Sequence, residues 1–491
     1  MSQAAPGELP HIMAQAAQSW HDLGRRHLAR WEYGTALAAL RHAAELAPHS
    51  SALHHDLGQA QFELGHVDAA IDSFRRAALA DDAALREAAL RSIAIIVPGA
   101  PQADHEAVLA ARRAWAPRSA PARDRTTRHS MKLRIGYVSA FFGSRNWMKP
   151  VWGLINHHNR TRFEVHMFSD RASPTEESGY RDADPDVIYT VGGIDNARLA
   201  EIIASAGIDI LVDLNGYSVS DRLGLFALRP APVIVGWFNM FATTGMTAFD
   251  WLVGDASVIR SDEEAHYTER IHRLPGSYLA FDVLYPVPPV ASPPAVKARY
   301  VTFGCLGSQH KLTDPVLDAW GHILRAAPTA QLFIRNATLE DASSRDDLLM
   351  RLARTGIEPA RVTLEGRADH LEFLRSYGRI DIALDTFPYN GGTTTTEALW
   401  QGVPVLTFGG DRWASRTSRS ILEAAGLSDW VMRDVMQYGQ RAAVLANDPE
   451  TPQMLAALRA GMRNRLRNSA ACDTAGLCRA METFYEEIAA A

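Results

Sequence analysis

Two patterns of hydrophobic residues divide the chain. Over roughly the first 115 residues, alanine and leucine recur at helical spacing, which predicts a series of α-helices. From Leu133 onwards, short apolar and β-branched runs alternate with helical patterns, and beyond about residue 428 the pattern is helical throughout. The alternation predicts βαβ units, in which parallel sheets are covered by helices on both faces.

The predicted strands fall into two groups, separated by a proline-rich stretch at 286–297. Six strands precede it, over 133–138, 163–168, 187–190, 208–214, 232–237 and 251–254, and five follow it, over 300–303, 331–334, 362–364, 381–384 and 403–408. Five prolines between Pro286 and Pro294 indicate a stiff, extended connector. We therefore predict two doubly wound domains, at 131–285 and 298–450, and C-terminal helices at 451–491.

An internal repeat organises the helical region at 1–116. Asp22-Leu23-Gly24 recurs 34 residues later as Asp56-Leu57-Gly58, and Ala36-Leu37 recurs at the same distance as Ala70-Ile71. This period resembles the tetratricopeptide repeat, which implies binding of partner proteins, and a generic helical bundle is the alternative. The arginine- and proline-containing stretch at 117–130 is interpreted as a solvated linker, with contact to an acidic partner as the alternative.

Composition excludes several classes of protein. The formal charge of −6 gives no general attraction to nucleic acid or to anionic membranes. Three scattered cysteines are too few for a disulfide framework or a zinc site. The N-terminus has no pattern of a signal peptide, and the chain contains no run of about 18 apolar residues. We expect a cytoplasmic protein without a membrane span.

The most informative stretch runs from Asp385 to Glu397. An apolar run ends at Asp385, two glycines and four threonines follow, and a helical pattern then continues to Gly402. The unpaired N–H groups of a helix start favour phosphate, and threonine hydroxyls add donors. Glu397, one helical turn beyond Thr393, suits the hydroxyls of a ribose. A capped αβ unit without a ligand is the alternative.

Six motifs, taken together and in order, resemble the O-linked N-acetylglucosamine transferase and SPINDLY-like family. They begin at Leu133, Asp213, Leu225, Lys311, Asp385 and Gly409. The resemblance implies a GT-B fold, with two Rossmann-like domains after the tetratricopeptide-like repeats. It also implies inverting, metal-independent transfer of a sugar, N-acetylglucosamine from UDP-GlcNAc in the first instance, to serine or threonine hydroxyls of a protein acceptor. No cofactor is expected, and a homodimer is possible.

The resemblance also assigns roles to single residues. Lys311 matches the lysine that meets the donor diphosphate, where an ammonium stabilises charge as the sugar–phosphate bond breaks. The phosphate-binding turn of the family matches Gly391, Gly392, Thr393 and Thr394. The acidic residue that holds the ribose matches Glu397, and the segment that contacts the base matches Ala368 and His370. His370 is equally compatible with an exposed residue at a helix start.

The base that would deprotonate the acceptor is not resolved by the sequence. Asp209 and Asp213 straddle the carboxyl end of one predicted strand, where both are expected to face the cleft, and Asp213 is preferred because it is nearer that end. Asp213 is also compatible with capping the turn at Asn215-Gly216, and the leaving phosphate is a further proton acceptor. Asp182 and Asp184 form an Asp-x-Asp pair in a proline-containing loop, which favours solvation over metal binding.

Several positions depart from the family pattern. Arg145-Asn146 stands where the family has histidine-proline, Gly307-Ser308 replaces an Asn-Asn or Asn-Gln pair, and Gly392 and Phe373 replace histidines. These differences leave the identity of the sugar open. The alternatives are the same fold with a fucose or acidic-sugar donor, and a non-catalytic repeat scaffold with a degenerate transferase half.

Overall fold

The computed structural model describes residues 9–121, 132–181, 183 and 185–490. The predicted linker at 117–130 lies mostly outside these ranges, as do Asp182 and Asp184. The N-terminal part is all-helical, as predicted, and its helices are α1 (Leu9–Ala29), α2 (Tyr33–Leu46), α3 (Ser51–Glu63), α4 (Val67–Ala77), α5 (Ala83–Ile96) and α6 (His105–Trp115).

The repeated glycines lie where the two helices of each hairpin touch. A Cβ atom added to Gly24 on α1 would lie 2.5 Å from Cγ of Leu40 on α2. Gly58 on α3 has the same relation to Phe74 on α4, where the added Cβ would lie 2.9 Å from the ring. Both members of the pair recur after 34 residues, so the period of the sequence reflects one packing arrangement used twice.

The first sheet has seven parallel strands in the order β3-β2-β1-β4-β5-β6-β7. Its strands are β1 (Leu133–Ser139), β2 (Phe163–Ser169), β3 (Val187–Thr190), β4 (Ile210–Asp213), β5 (Val233–Gly236), β6 (Trp251–Asp255) and β7 (Arg270–Leu274). Strand β7 was not predicted, because this edge strand contains three charged or imidazole side chains and is mostly exposed or half-buried. The helices between these strands are α7 (Lys149–Ile155), α8 (Asn196–Ser205) and α9 (Leu223–Ala227).

The second sheet has the order β10-β9-β8-β11-β12-β13. Its strands are β8 (Thr302–Cys305), β9 (Gln331–Arg335), β10 (Val362–Glu365), β11 (Ile382–Leu384), β12 (Val405–Phe408) and β13 (Val431–Met432). Numbered from its own first strand, the second sheet has the Rossmann order 3-2-1-4-5-6, and the first sheet has the same order with a seventh strand added at its edge. Both orders confirm the predicted fold class. The prediction that everything beyond residue 428 is helical was wrong at β13, a strand of two residues that is too short to show periodicity.

The helices of the second half complete the α/β pattern. They are α10 (Ala295–Ala298), α11 (Asp314–Ala326), α12 (Ala342–Arg354), α13 (His370–Ser376), α14 (Thr393–Trp400), α15 (Thr417–Ala424), α16 (Val435–Asn447), α17 (Thr451–Arg467) and α18 (Thr474–Ala490). None of the helices in the described ranges is long and apolar enough to cross a membrane.

Contacts divide the chain into two compact units. The first comprises Met1–Ala103, Val290–Asn390 and Met432–Arg459, so it contains α1 to α5 together with β8 to β11. The second comprises Asp104–Pro289, Gly391–Val431 and Ala460–Ala491, so it contains the first sheet together with α14. The helical repeats and the Lys311 segment therefore belong to the same unit. The domain boundaries derived from the sequence remain predictions.

The C-terminal helix α18 packs against the first sheet within the second unit. Phe484 stacks on His272 of β7, with ring centroids 3.9 Å apart, and also meets the edge of Trp251 on β6. Glu482 binds His158 at 3.0 Å, and the hydroxyl groups of Tyr485 and Tyr137 lie 3.3 Å apart.

Candidate functional site

Three predicted site segments lie at one edge of the first unit. Strands β8, β9, β10 and β11 are parallel, so their carboxyl ends meet at the same edge of the sheet. Lys311 follows β8, Ala368 and His370 follow β10, and Asp385 follows β11. In open α/β sheets this edge is where ligands bind.

Lys311 is held at the end of a short 3-10 turn, immediately before α11. Its ammonium group donates to the backbone carbonyl of Asn390 at 2.7 Å and lies 4.0 Å from the ring centre of Tyr389. Burial lowers the pKa of Lys311 to about 8, against the opposing influence of Asp385 and Cys305. Lys311 is thus fixed beside Asn390, which precedes Gly391. Its ammonium form is less strongly favoured over the neutral amine than in a lysine exposed to water.

The loop from Asp385 to Asn390 is fixed by its own hydrogen bonds. The Thr386 hydroxyl donates to the Tyr389 carbonyl at 2.6 Å, and the side chain of Asn390 donates back to the Thr386 carbonyl at 2.7 Å. Tyr438 of α16 donates to the backbone carbonyl of Asp385 at 3.2 Å. These bonds define the position of the carbonyl that Lys311 uses.

Ala368 and His370 lie at the start of α13. Asp369 caps this helix by accepting from the backbone N–H of Glu372 at 2.8 Å, and both predicted residues are half-buried. They share the carboxyl edge of the sheet with Lys311, so their location is compatible with contact to a nucleotide base. Their roles remain predictions.

In the second unit, the glycine turn and the threonines form the start of α14. Gly391 cannot be replaced without a shift, because an added Cβ would lie 2.7 Å from the Thr394 hydroxyl and 2.5 Å from that of Thr395. The Ser418 hydroxyl is 2.8 Å from the Thr395 hydroxyl and donates to the Gly391 carbonyl at 3.0 Å. Thr393 and Thr394 are half-buried, whereas Thr395 is buried. The first turn therefore presents two hydroxyls beside the N–H groups of a helix start.

Glu397, one turn further along α14, is buried. Its carboxylate lies 4.0 Å from the ammonium group of Lys149, and both side chains are only 3% exposed. Lys149 also donates to the Tyr285 hydroxyl at 3.4 Å. Burial lowers the pKa of Lys149, while Glu397 opposes that shift. The carboxylate proposed to hold a ribose is therefore fixed by a buried cation.

The two aspartates considered as bases lie at opposite ends of β4. Asp209 precedes the strand, where it accepts from the backbone N–H of Arg134 at 2.9 Å, so the expectation that it faces the carboxyl end was wrong. The strand begins only after a turn at Gly207, which has a positive φ of 66°. Asp213 is at the carboxyl end and is fully buried.

The Asp213 carboxylate caps the following turn, which is the alternative that the sequence left open. It accepts from the backbone N–H groups of Asn215 at 2.8 Å and Gly216 at 3.2 Å. Burial raises its pKa to about 7, although these two hydrogen bonds act in the opposite direction.

Two further features bear on the chemistry. Arg145, one of the departures from the family pattern, lies over the ring of Tyr285 at 5.5 Å, and Tyr285 is also the residue whose hydroxyl accepts from Lys149. Among the described residues, His158, Cys478 and Glu482 place potential metal-binding atoms within 4.8 Å of one another. Both imidazole nitrogens of His158 are already bonded, to Tyr137 and Glu482, which accounts for the cluster without a metal.

The sequence patterns did not single out Lys149, Tyr285 or Ser418. A signal for Lys149 existed, because it is the only charged residue between Trp147 and Ile155 and the chain has just four lysines. A single charge in an otherwise apolar helix must find a partner. Its partner, Glu397, is distant in sequence, so only the structure identifies the pair.

The chain matches known proteins over most of its length. The sequence pattern of glycosyl transferase family 41 matches residues 117–290 and 295–481. The chain is 32% identical over 364 residues to a probable UDP-N-acetylglucosamine–peptide N-acetylglucosaminyltransferase, SPINDLY, from Solanum lycopersicum, which covers 72% of this chain and 38% of that protein. It is 29% identical over 340 residues to the corresponding probable enzyme SEC from Arabidopsis thaliana, which covers 67% of this chain and 34% of the relative.

A solved structure matches along the whole chain. A mutant of the O-GlcNAc transferase from Thermobaculum terrenum superimposes with a TM-score of 0.81 at 30% sequence identity, which covers 99% of this chain and 98% of that one. By contrast, the chain spans less than two fifths of the length of its SPINDLY relatives, at 38%.

Proposed function

Because the chain belongs to glycosyl transferase family 41, we propose that it transfers N-acetylglucosamine from UDP-GlcNAc, with inversion, to serine or threonine hydroxyls of a protein. The observation that carries this proposal is the placement of Lys311. Its ammonium group binds the carbonyl of Asn390, and the next residues, Gly391 and Gly392, lead directly into the start of α14.

The proposal assigns the donor diphosphate to Lys311 and to the first turn of α14. As the bond between the sugar and the diphosphate breaks, negative charge grows on the departing oxygen, and a nearby ammonium stabilises it. The N–H groups of the helix start and the hydroxyls of Thr393 and Thr394 bind the phosphate oxygens. Glu397 accepts hydrogen bonds from the ribose, and Ala368 and His370 contact the base.

In the transfer step, the acceptor oxygen forms a bond to C1 of the sugar while the bond from C1 to the diphosphate breaks. The acceptor proton must go to a base or to the departing phosphate. Because the oxygens of Asp213 already accept from Asn215 and Gly216, we assign Asp213 to shaping the turn and the proton to the phosphate.

The test is release of UDP from UDP-GlcNAc by the purified chain, first with water and then with serine- and threonine-containing peptides as acceptors. Lys311→Met should lower kcat by at least about a hundredfold and change donor affinity little, since the charge it meets develops in the transition state. Lys297→Met, at an exposed lysine of α10, is the matched control and should behave like the wild type. Equal losses of kcat and affinity in Lys311→Met would contradict the assignment.

The same assay separates the alternatives for the donor. UDP-GlcNAc is compared with GDP-fucose and with UDP-glucuronic acid, which is included because Arg145 and Lys149 both lie at Tyr285. Turnover of GDP-fucose or UDP-glucuronic acid alone would replace the proposed donor. Turnover of none of the three would favour a scaffold. A chelator such as EDTA should leave the rate unchanged, since metal independence is part of the proposal.

Two further parts of the proposal concern the environment of the enzyme. A protein acceptor recruited by the helical repeats follows from the family resemblance, and a cytoplasmic location follows from the three scattered cysteines, which suit a reducing compartment. Dimerisation is tested by measuring the mass of the purified chain in solution.

A further inference from the structure

The helical repeats directly contact the segment that carries Lys311, and both belong to the first compact unit. At the end of α3, the ring of Phe62 stacks on the imidazole of His310, with centroids 4.8 Å apart and planes inclined by 19°. His310 immediately precedes Lys311. A repeat helix therefore packs on the neighbour of the residue assigned to the diphosphate.

The loop after α3 approaches the same segment through its backbone. Gly65, with a positive φ of 89°, lies so close to it that an added Cβ would be 2.6 Å from the carbonyl oxygen of Leu312 and 3.0 Å from that of Gln309. Only glycine combines this left-handed conformation with so close an approach. The repeat loop and the 309–312 turn are thus in direct backbone contact.

A buried arginine joins the two segments. The guanidinium group of Arg351 on α12 donates to the carbonyl of Leu64 in the repeats at 2.6 Å and to the carbonyl of Leu312 at 2.7 Å. It also binds Asp314 at 2.7 Å, at the start of α11. One side chain therefore holds the end of a repeat helix and both sides of the turn after Lys311.

The repeats also reach the aromatic ring next to Lys311. A Cβ added to Gly99, just after α5, would lie 3.4 Å from the ring of Tyr389. Tyr389 is the ring over which the Lys311 ammonium group lies, and its centroid is 6.3 Å from that of His310. Contacts from the repeats therefore reach two neighbours of Lys311, His310 and Tyr389.

We propose that the helical repeats position Lys311 for the transfer step, with Phe62 acting through His310, in addition to any role in binding an acceptor. This inference rests on the function proposed for Lys311. Phe62 is a positioning residue: its ring fixes the turn that directs the ammonium group to the Asn390 carbonyl. Loss of the ring would admit water beside His310 and loosen the turn.

The charges and the burial around Lys311 support this inference. Burial, and then the charge of Lys311, lower the pKa of His310 to about 3, so the imidazole is neutral beside the ammonium group at physiological pH. The groups that face Lys311 are His310, Asp385 and Cys305, of which the last two favour its charged form. Hydration of the turn would reduce the burial that lowers the pKa of Lys311 and would raise that pKa.

The first test measures hydrolysis of UDP-GlcNAc with water as acceptor, so recruitment of a protein plays no part. Phe62→Ala should lower kcat by on the order of tenfold with the donor KM within about twofold, because a small misplacement of a catalytic group is costly. Phe62→Tyr, which keeps the ring, should restore the rate. Trp20→Ala is the matched control, since Trp20 pairs with His42 at 5.2 Å elsewhere in the repeats. If Phe62→Ala hydrolyses the donor like the wild type, the inference is wrong.

The second test does not depend on activity. The chain has four lysines, so the reactivity of Lys311 towards acetic anhydride can be followed by mass spectrometry as a function of pH. Phe62→Ala should raise the apparent pKa of Lys311 above its wild-type value, and an unchanged value would overturn the proposal. Phe62→Leu replaces the alanine variant if that does not fold. Failure of the wild type to turn over any donor would refute the proposed function, whereas the labelling would still show whether Phe62 fixes the surroundings of Lys311.

Discussion

Lys149 and Glu397 form a buried ion pair in the second unit, 248 residues apart in the chain and 4.0 Å apart in space. Each side chain is 3% exposed. Lys149 begins α7 after the first strand of the first sheet, and Glu397 lies on α14 after the glycine turn. The pair holds the carboxylate that we assign to the ribose.

Removing Lys149 should destabilise the protein. Lys149→Met takes away the cation that faces Glu397, and breaking a buried pair from one side costs about 3 kcal/mol of unfolding free energy. Urea denaturation measures the loss. Adding Glu397→Gln should recover part of it, because the double variant buries no charge at this point. The exposed pair Arg198 and Glu201 provides the control: Arg198→Met should change stability by less than about 0.5 kcal/mol. Additive losses in the double variant would show that the two groups are not coupled.

The rate should fall on the alkaline side of pH 8. The pKa of Lys311 is lowered from 10.5 to about 8, so the ammonium group is present below that pH and is lost as the pH rises through it. We expect kcat/KM for UDP-GlcNAc, which reports on the free enzyme, to decrease above about pH 8. Lys311→Arg keeps its charge to higher pH, so any residual activity of that variant should lack this decrease. A wild-type profile that stays flat to pH 10 would contradict the assignment of Lys311.

The two glycines of the phosphate turn should differ in their tolerance of a side chain. Gly391→Ala places a Cβ within 2.7 Å of two threonine hydroxyls, whereas Gly392→Ala meets only a methyl group of Thr417 at 3.6 Å. Rotation of Thr395 to make room would break its contact with Ser418. We expect Gly391→Ala to weaken UDP binding at least about tenfold in a calorimetric titration, since the Thr394 hydroxyl, which we assign to the phosphate, must move away from the new Cβ. Gly392→Ala should lose less, and the reverse order would argue against the proposed turn.

Asp213→Asn distinguishes a turn-capping residue from a catalytic base. The amide retains one acceptor for the N–H groups of Asn215 and Gly216 and turns a donor towards the other. A buried N–H left unsatisfied costs about 1 to 3 kcal/mol, so we expect a clear loss of stability in urea denaturation. The value of kcat in the folded variant should stay within about tenfold of the wild type. A fall of about a thousandfold without loss of stability would instead identify Asp213 as the base.

Much of the fold was predictable from local pattern. The 34-residue repeat predicted the helix hairpins, because Gly24 and Gly58 mark the points where Leu40 and Phe74 pack. The alternation of apolar strands with helices predicted both Rossmann-like sheets, since buried parallel strands are continuously hydrophobic. Two strands were not predicted: β7, which lies at a sheet edge and carries polar side chains, and β13, which has only two residues.

What the sequence by itself determined was the repeat and the strand–turn–helix at Asp385 to Glu397, because each depends on residues close together in the chain. The role of Lys311 was predicted only through a family resemblance and stays a prediction. Only the tertiary structure decided which distant groups meet. It paired Glu397 with Lys149, placed both oxygens of Asp213 on its own turn, and stacked Phe62 of the repeats on His310. Contacts of this kind leave no periodic signal, since they depend on how separate elements pack together and not on the order of neighbouring residues.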